Sequence, residues 1–161
     1  MDDQPRTTES ASSTGALGFP PRWEALPAAD GLTVPAARRG SETVLVVEDE
    51  HAVRAFATAV LQRAGYVVRE AEDGLDALRR TEVYAGPIHL LVTDVIMPRL
   101  GGLALAERLQ AVRPGLKVLY ISGYADDALA RQGIQAGEVV FLPKPFTPDS
   151  LALKVRALLD A

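Results

Sequence analysis

At 161 residues, with 48% hydrophobic and 24% charged side chains, the chain has the material for one full hydrophobic core and not for two. A formal net charge of -4 argues against a nucleic-acid or anionic-membrane surface, either of which needs a basic stripe. With no cysteine there is no disulfide framework or thiolate zinc site, no apolar run approaches the roughly 20 residues of a membrane helix, and the acidic start Met1-Asp2-Asp3-Gln4 lacks a secretory signal, so a cytoplasmic protein with protein or small-molecule partners is expected.

Residues 1–40 hold five of the eleven prolines, seven Ser or Thr and four glycines without a sustained period, which predicts a flexible tail or linker ahead of a domain at 41–161. Within it, Phe19-Pro20-Pro21-Arg22-Trp23-Glu24-Ala25-Leu26 is a short Pro-rich element able to dock on the domain or on a partner. Thr43 to Val47 is an uninterrupted apolar strand followed at once by Glu48-Asp49-Glu50. Val53, Phe56, Ala57, Val60, Leu61 and Ala64 then recur at helical spacing, with Arg54 and Arg63 off that face and Gly65 as the stop. Tyr66 to Glu70 reads as a half-polar edge strand, and Asp73-Gly74 opens a short helix through Leu75, Ala77 and Leu78. After the turn Gly86-Pro87, the run His89-Leu90-Leu91-Val92-Thr93-Asp94 is a strand buried on both faces, with one carboxylate at its carboxyl end.

The second half repeats the unit. Gly101-Gly102 leads into a helix with Leu105, Leu109 and Val112 on one face, stopped by Pro114-Gly115. Leu116 to Ile121 is a strand ending in Ser122-Gly123, and Ala125 to Arg131 a short helix with Asp126 and Asp127 in its first turn. Val139 to Leu142 is a fifth strand followed by Pro143-Lys144-Pro145-Phe146. Thr147 as N-cap and Pro148 at the first helical position begin a last helix with Leu151, Val155 and Leu158 inward. Five strands alternating with five helices predict an α/β doubly wound parallel sheet, because parallel neighbours need a crossover, and the flavodoxin-like order 2-1-3-4-5 is the natural one for right-handed crossovers with helices on both faces.

That order puts Glu48, Asp49, Asp94, Ser122 and Lys144 on one edge of the sheet, near the point where strand order reverses. Three crowded carboxylates repel one another unless a cation sits among them, and magnesium suits hard oxygen donors beside a phosphate. A lysine opposite supplies a point charge for phosphate, and Ser122 a hydroxyl. His51 and His89 have no ligand-spaced partner, Met97 fits loop packing, and Gly101-Gly102 fits no dinucleotide fingerprint.

Val46-Val47-Glu48-Asp49-Glu50, Thr93-Asp94 with Met97-Pro98 and Gly101-Gly102, Ile121-Ser122-Gly123-Tyr124, and Leu142-Pro143-Lys144-Pro145-Phe146 together resemble the receiver domain of two-component response regulators, over residues 43 to about 160. The resemblance implies that Asp94 is the phosphoacceptor and that Glu48, Asp49, Asp94 and the backbone carbonyl of Ile96 hold Mg2+. It further implies that Ser122 and Lys144 bind the phosphoryl group, that the Lys144-Pro145 bond is cis, and that Ser122 and Phe141 switch a surface on the fourth predicted helix, fifth strand and fifth helix. Such a domain is a phosphoacceptor assisting its own phosphorylation and dephosphorylation rather than an enzyme on another substrate. Its partners are a sensor histidine kinase or histidine phosphotransfer protein and a downstream protein target, with no nucleic acid and no membrane. With the chain ending at Ala161, it reads as a stand-alone receiver or the terminal receiver of a hybrid kinase.

Three departures qualify the resemblance. Glu48 stands where many members have Asp, Phe141 where Tyr is frequent, and Ile96 and Tyr124 occupy the positions two after Asp94 and Ser122, which in the family influence dephosphorylation. Ile96 has no polar group to orient water, so slow self-dephosphorylation, over minutes or longer, is expected. Rival readings are a flavin carrier, disfavoured by the acids after the first strand, an Asp-nucleophile phosphatase, which needs a second Asp where Ile96 stands, and a non-phosphorylated pseudo-receiver acting as an interaction module.

Overall fold

Residues 34–123, 130–131, 133–134 and 137–161 are described by a computed structural model. Trp23, Tyr124, Asp126, Asp127 and most of the helix predicted over 125–131 lie outside them. Strands β1 (Thr43–Val47), β2 (Val67–Ala71), β3 (Leu90–Asp94), β4 (Lys117–Ser122) and β5 (Val140–Pro143) form a parallel sheet in the order β2-β1-β3-β4-β5. Helices α1 (His51–Arg63), α2 (Gly74–Glu82), α3 (Gly102–Val112) and α4 (Pro148–Asp160) connect or follow them, and a 3-10 turn spans Ala36–Arg38.

The strands form where the sequence is apolar on both faces. Every residue of β1 and β3 is buried, and their alternate side chains feed two separate layers. Val44, Val46, Leu90 and Val92 pack with Val53, Ala57, Val60 and Leu61 of α1 and Leu151, Ala152 and Val155 of α4. Leu45, Val47 and Leu91 point the other way, onto Ala77 of α2 and Leu105, Ala106 and Leu109 of α3. Period-two alternation thus directs one strand into two cores. Each fully buried Leu or Val contributes roughly 1.5–3 kcal/mol of transfer free energy, which is why the central strands, and not their caps, secure the fold.

The boundaries shift by about one residue at some ends. β3 begins at Leu90 because His89 is exposed and turns its Nδ1 to accept the Thr43 amide at 2.9 Å. Val112, expected on the inward face of α3, is 74% exposed: it lies in the last turn, and Leu116, past the Pro114-Gly115 reversal, closes that layer instead. Residues 34–40, assigned by composition to the tail, pack on the domain. Val34 is buried in the α1/α4 layer, Gly40 N donates to Ala64 O at 3.0 Å, and Arg38 pairs with Asp149.

Arg156 of α4 ties this corner together. Its guanidinium reaches Glu42 Oε2 at 2.6 Å, the Tyr66 hydroxyl at 3.1 Å, the Arg39 carbonyl at 3.2 Å and Asp160 at 2.8 Å. Hydrogen bonding from Arg156 holds the Glu42 carboxyl at about 2, below its ordinary 4.5. A depressed carboxylate contributes stability above its unfolded pKa and loses it as pH falls through the folded value. Glu42→Gln is therefore expected to cost about 1 kcal/mol at neutral pH, allowing for partial solvent screening, with the difference from wild type shrinking between about pH 5 and about pH 2 in urea titrations.

Candidate functional site

The carboxyl edge of the sheet collects the polar residues. Val47 pairs with Thr93, so Glu48 and Asp94, one residue further along, stand next to each other; Asp94 pairs with Ile121, and Ser122 with Pro143. The register thus sets Glu48 level with Asp94, with Ser122 one residue and Lys144 two residues further along, so all four gather at the carboxyl ends of four neighbouring strands. Glu48 is wholly buried, Asp94 is 7% exposed, Ser122 is buried, and Asp49 is open to solvent at the rim.

Local geometry explains how a glutamate is held inside. Glu48 Oε1 accepts the amide of Glu50 at 3.1 Å, folding the side chain back over its own loop, while the Arg54 guanidinium clasps the Glu48 carbonyl at 2.6 Å. Asp94 Oδ1 accepts the Ile96 amide at 3.3 Å. Directly beneath, a Cβ on Gly102 would lie 2.0 Å from the Asp94 carbonyl oxygen, so α3 can start this close to the strand end only with glycine there.

Lys144 arrives from β5. Its amide donates to the Ser122 carbonyl at 3.1 Å, the Lys144-Pro145 peptide is cis, and Phe146, 3% exposed, seats the following turn in the core. The ammonium then lies 2.9 Å from Asp94 Oδ2, 2.9 Å from Glu48 Oε2 and 3.7 Å from Glu50 Oε1. The bond to Asp94 is a well-formed hydrogen bond, whereas the contact with Glu48 is an ion pair without hydrogen-bond alignment, leaving that buried Oε2 unsatisfied.

Charge does not balance here. One oxygen each from Glu48, Asp49 and Asp94 lie within 4.8 Å of one another, and Lys144 pairs with Glu48 and Asp94. Burial, with the Asp94 charge adding to it, pushes the Glu48 carboxyl up from 4.5 to about 8, and Lys144 only partly opposes this. Burial alone would lower the Lys144 pKa, but Glu48 and Asp94 outweigh it and raise it. Glu48 Oε2, buried and held by the ion pair with Lys144, belongs to an all-oxygen donor set of the kind a hard divalent cation takes, so the residues present fit Mg2+.

Other predicted residues fall nearby or elsewhere. Phe141 is half-buried on β5 with its ring 5.7 Å from that of Tyr120, and Ile96 is 54% exposed at the mouth of the site. Met97 is buried in the α2/α3 layer, and His51 is exposed with Nδ1 3.3 Å from Arg54. Arg54 as a partner of the Glu48 carbonyl and the approach of Glu50 to Lys144 were missed by the sequence reading. Spacing gives no hint of them, because each contact depends on the path of the β1–α1 loop.

A doubly wound parallel domain with an acidic pocket and a half-buried lysine at its switch point is the class that fold and site define. The family model for the response regulator receiver domain matches residues 44–156, and the chain belongs to that family. It is 43% identical over 121 residues to the sensor kinase CckA of Brucella abortus, covering 75% of this chain but only 13% of that kinase. It is 33% identical to the response regulator receiver protein CpdR of the same organism, covering 73% of this chain and 97% of that one. Among solved structures it is similar to the receiver domain of the hybrid histidine kinase CckA, with a TM-score of 0.61 at 40% identity over 73% of this chain and 98% of the other. The response regulator TrrA of Thermotoga maritima, solved in complex with Mg(2+)-BeF, matches with a TM-score of 0.60 at 28% identity over 73% and 98%. Among the described residues no helix is long and apolar enough to cross a membrane.

Because the folded protein holds a proton on Glu48 between the unfolded 4.5 and about 8, it binds more protons than the unfolded chain across that window. Metal-free stability therefore falls as pH rises through it. Glu48→Gln is expected to raise metal-free stability at about pH 8 by about 1 kcal/mol while abolishing any gain from magnesium, both read from melting curves with and without the ion.

Proposed function

We propose that this domain accepts a phosphoryl group from a phosphohistidine onto Asp94 and answers by changing a protein-binding surface. The observation that carries the reading is the Asp94 carboxylate held at 2.9 Å by the half-buried Lys144, beside two further acids. A nucleophile in that setting needs its charge controlled and its orientation set, and Lys144 and the Ile96 amide supply both.

In the transfer, an oxygen of Asp94 forms a bond to phosphorus as the bond from phosphorus to the imidazole nitrogen breaks. The leaving nitrogen keeps the electron pair, and an acyl phosphate remains on Asp94. Glu48, Asp49, Asp94 and the Ile96 carbonyl would hold Mg2+, which when bound neutralises charge on the phosphoryl oxygens. Lys144, already touching Asp94, pairs with one phosphoryl oxygen. The Ser122 hydroxyl, drawn toward another, leaves space into which Phe141 turns, and that movement biases the surface around β5 and α4. The complex of TrrA with Mg(2+)-BeF and the identity with CckA and CpdR support this reading, and a histidine kinase or histidine phosphotransfer protein is the donor it implies.

Acetyl phosphate with magnesium is expected to add one phosphate to wild type by intact mass and none to Asp94→Asn, with Lys144→Ala strongly impaired. A wild type that takes no phosphate leaves an interaction module controlled by binding alone. With Ile96 at the mouth in place of a side chain that orients water, the phosphorylated form is expected to persist for minutes or longer. Complete loss within seconds in purified protein would contradict that assignment.

A further inference from the structure

The loop from Val95 to Gly101 carries Ile96, whose amide holds Asp94 and whose carbonyl is a proposed metal ligand. At its start Val95 N bonds Ile121 O of β4 at 3.2 Å, and beyond that Gly102 N reaches Val95 O at 2.9 Å, Leu100 N reaches Pro98 O at 2.8 Å, and Met97 and Leu100 are buried. A further contact comes from the start of α2. Arg99 stands in the left-handed region with φ of 68°, costly for a residue with a Cβ, and its Nη2 pairs with Asp73 Oδ2.

Asp73 has a second task. It caps α2, its Oδ1 accepting the Asp76 amide at 2.8 Å, and it is 1% exposed. Asp76 is likewise buried but is matched by Arg79 at 3.3 Å and Arg80 at 2.9 Å from its own helix. Asp73 instead takes its cation from 26 residues away, across the cleft between the β2–α2 and β3–α3 loops. The two loops also touch directly, since a Cβ on Gly74 would lie 2.6 Å from the Leu100 carbonyl. A strained backbone at Arg99 persists only if something over-determines it, and a buried carboxylate in need of a cation does so. The transfer chemistry uses neither residue.

We infer that Asp73 and Arg99 are a positioning pair: a latch from the start of α2 that fixes the β3–α3 loop so that the Ile96 carbonyl and the Asp94 carboxylate present one preset face to the divalent ion. The inference rests on the magnesium site proposed above. It gives α2, which supplies no side chain to the acidic pocket, a role in its affinity. It also gives the left-handed Arg99 a reason beyond turn geometry.

Arg99→Gly isolates the effect, because glycine adopts a φ of this sign without strain and so offsets the lost ion pair in global stability. Field effects alone would make this variant bind magnesium more tightly, since a cation is removed near the site; the latch requires the opposite sign. In the full chain, calorimetry is expected to show magnesium binding weakened about tenfold in Arg99→Gly and in Asp73→Asn, which keeps a capping oxygen, with the double variant no weaker than either single one. Amide exchange of residues 95–101 in metal-free protein should speed up in both while that of β1 and β3 is unchanged. A wild type that binds magnesium while Arg99→Gly binds equally well or better, or with unchanged loop exchange, overturns the latch alone. A wild type indifferent to magnesium overturns the metal site and the latch with it.

Discussion

A buried glutamate that one lysine cannot fully neutralise is the constraint to which the rest of this molecule answers. Glu48 has no solvent exposure, and its Oε2 lies 2.9 Å from Lys144 without a hydrogen bond. Lys144 is shared with Asp94 at the same distance, so neither carboxylate has the cation to itself. Burying unpaired charge is costly enough that proteins normally avoid it. Burial and the neighbouring Asp94 charge accordingly push the Glu48 carboxyl up to about 8.

Holding such a cluster takes a rigid frame, and the doubly wound sheet supplies one. β1 and β3 are covered on both faces, so the loops leaving their carboxyl ends start from fixed points. Around that edge neighbouring segments are tied together: Arg54 of α1 to the Glu48 carbonyl, the Lys144 amide to the Ser122 carbonyl, and Arg99 to Asp73. At the opposite edge Arg156 joins α4 to the start of β1 and to residues 34–40. The stretch that leads into the domain is thereby attached to the helix beside the proposed switching surface. The matched relatives use such domains in different settings, since this chain spans 13% of one and 97% of another.

Much of this was legible beforehand. Thr43 to Val47 and Leu90 to Asp94 announce buried central strands because nothing polar interrupts them, and the residues just beyond each strand must then share an edge. Val112 misled because helical periodicity records which way a side chain points and not whether the sheet still lies beneath it. Val34 misled because a single apolar residue in a Pro-rich stretch does not raise its local hydrophobicity, although one well-placed pocket buries it. Phe141, named from the resemblance, is found half-buried against Tyr120, a contact across β4 and β5 that no local pattern encodes.

The sequence by itself determined the alternation of elements, the two-faced burial of the central strands and the set of polar residues at the strand ends, because these follow from local periodicity and from the crossover that parallel strands require. Only the tertiary structure decided which carboxylate Lys144 would favour with a hydrogen bond, that Glu48 would be sealed from water, and that Arg54 and Arg99 would brace the loops around it. Those outcomes depend on distances between segments brought together by the sheet, and a one-dimensional pattern carries no information about such distances.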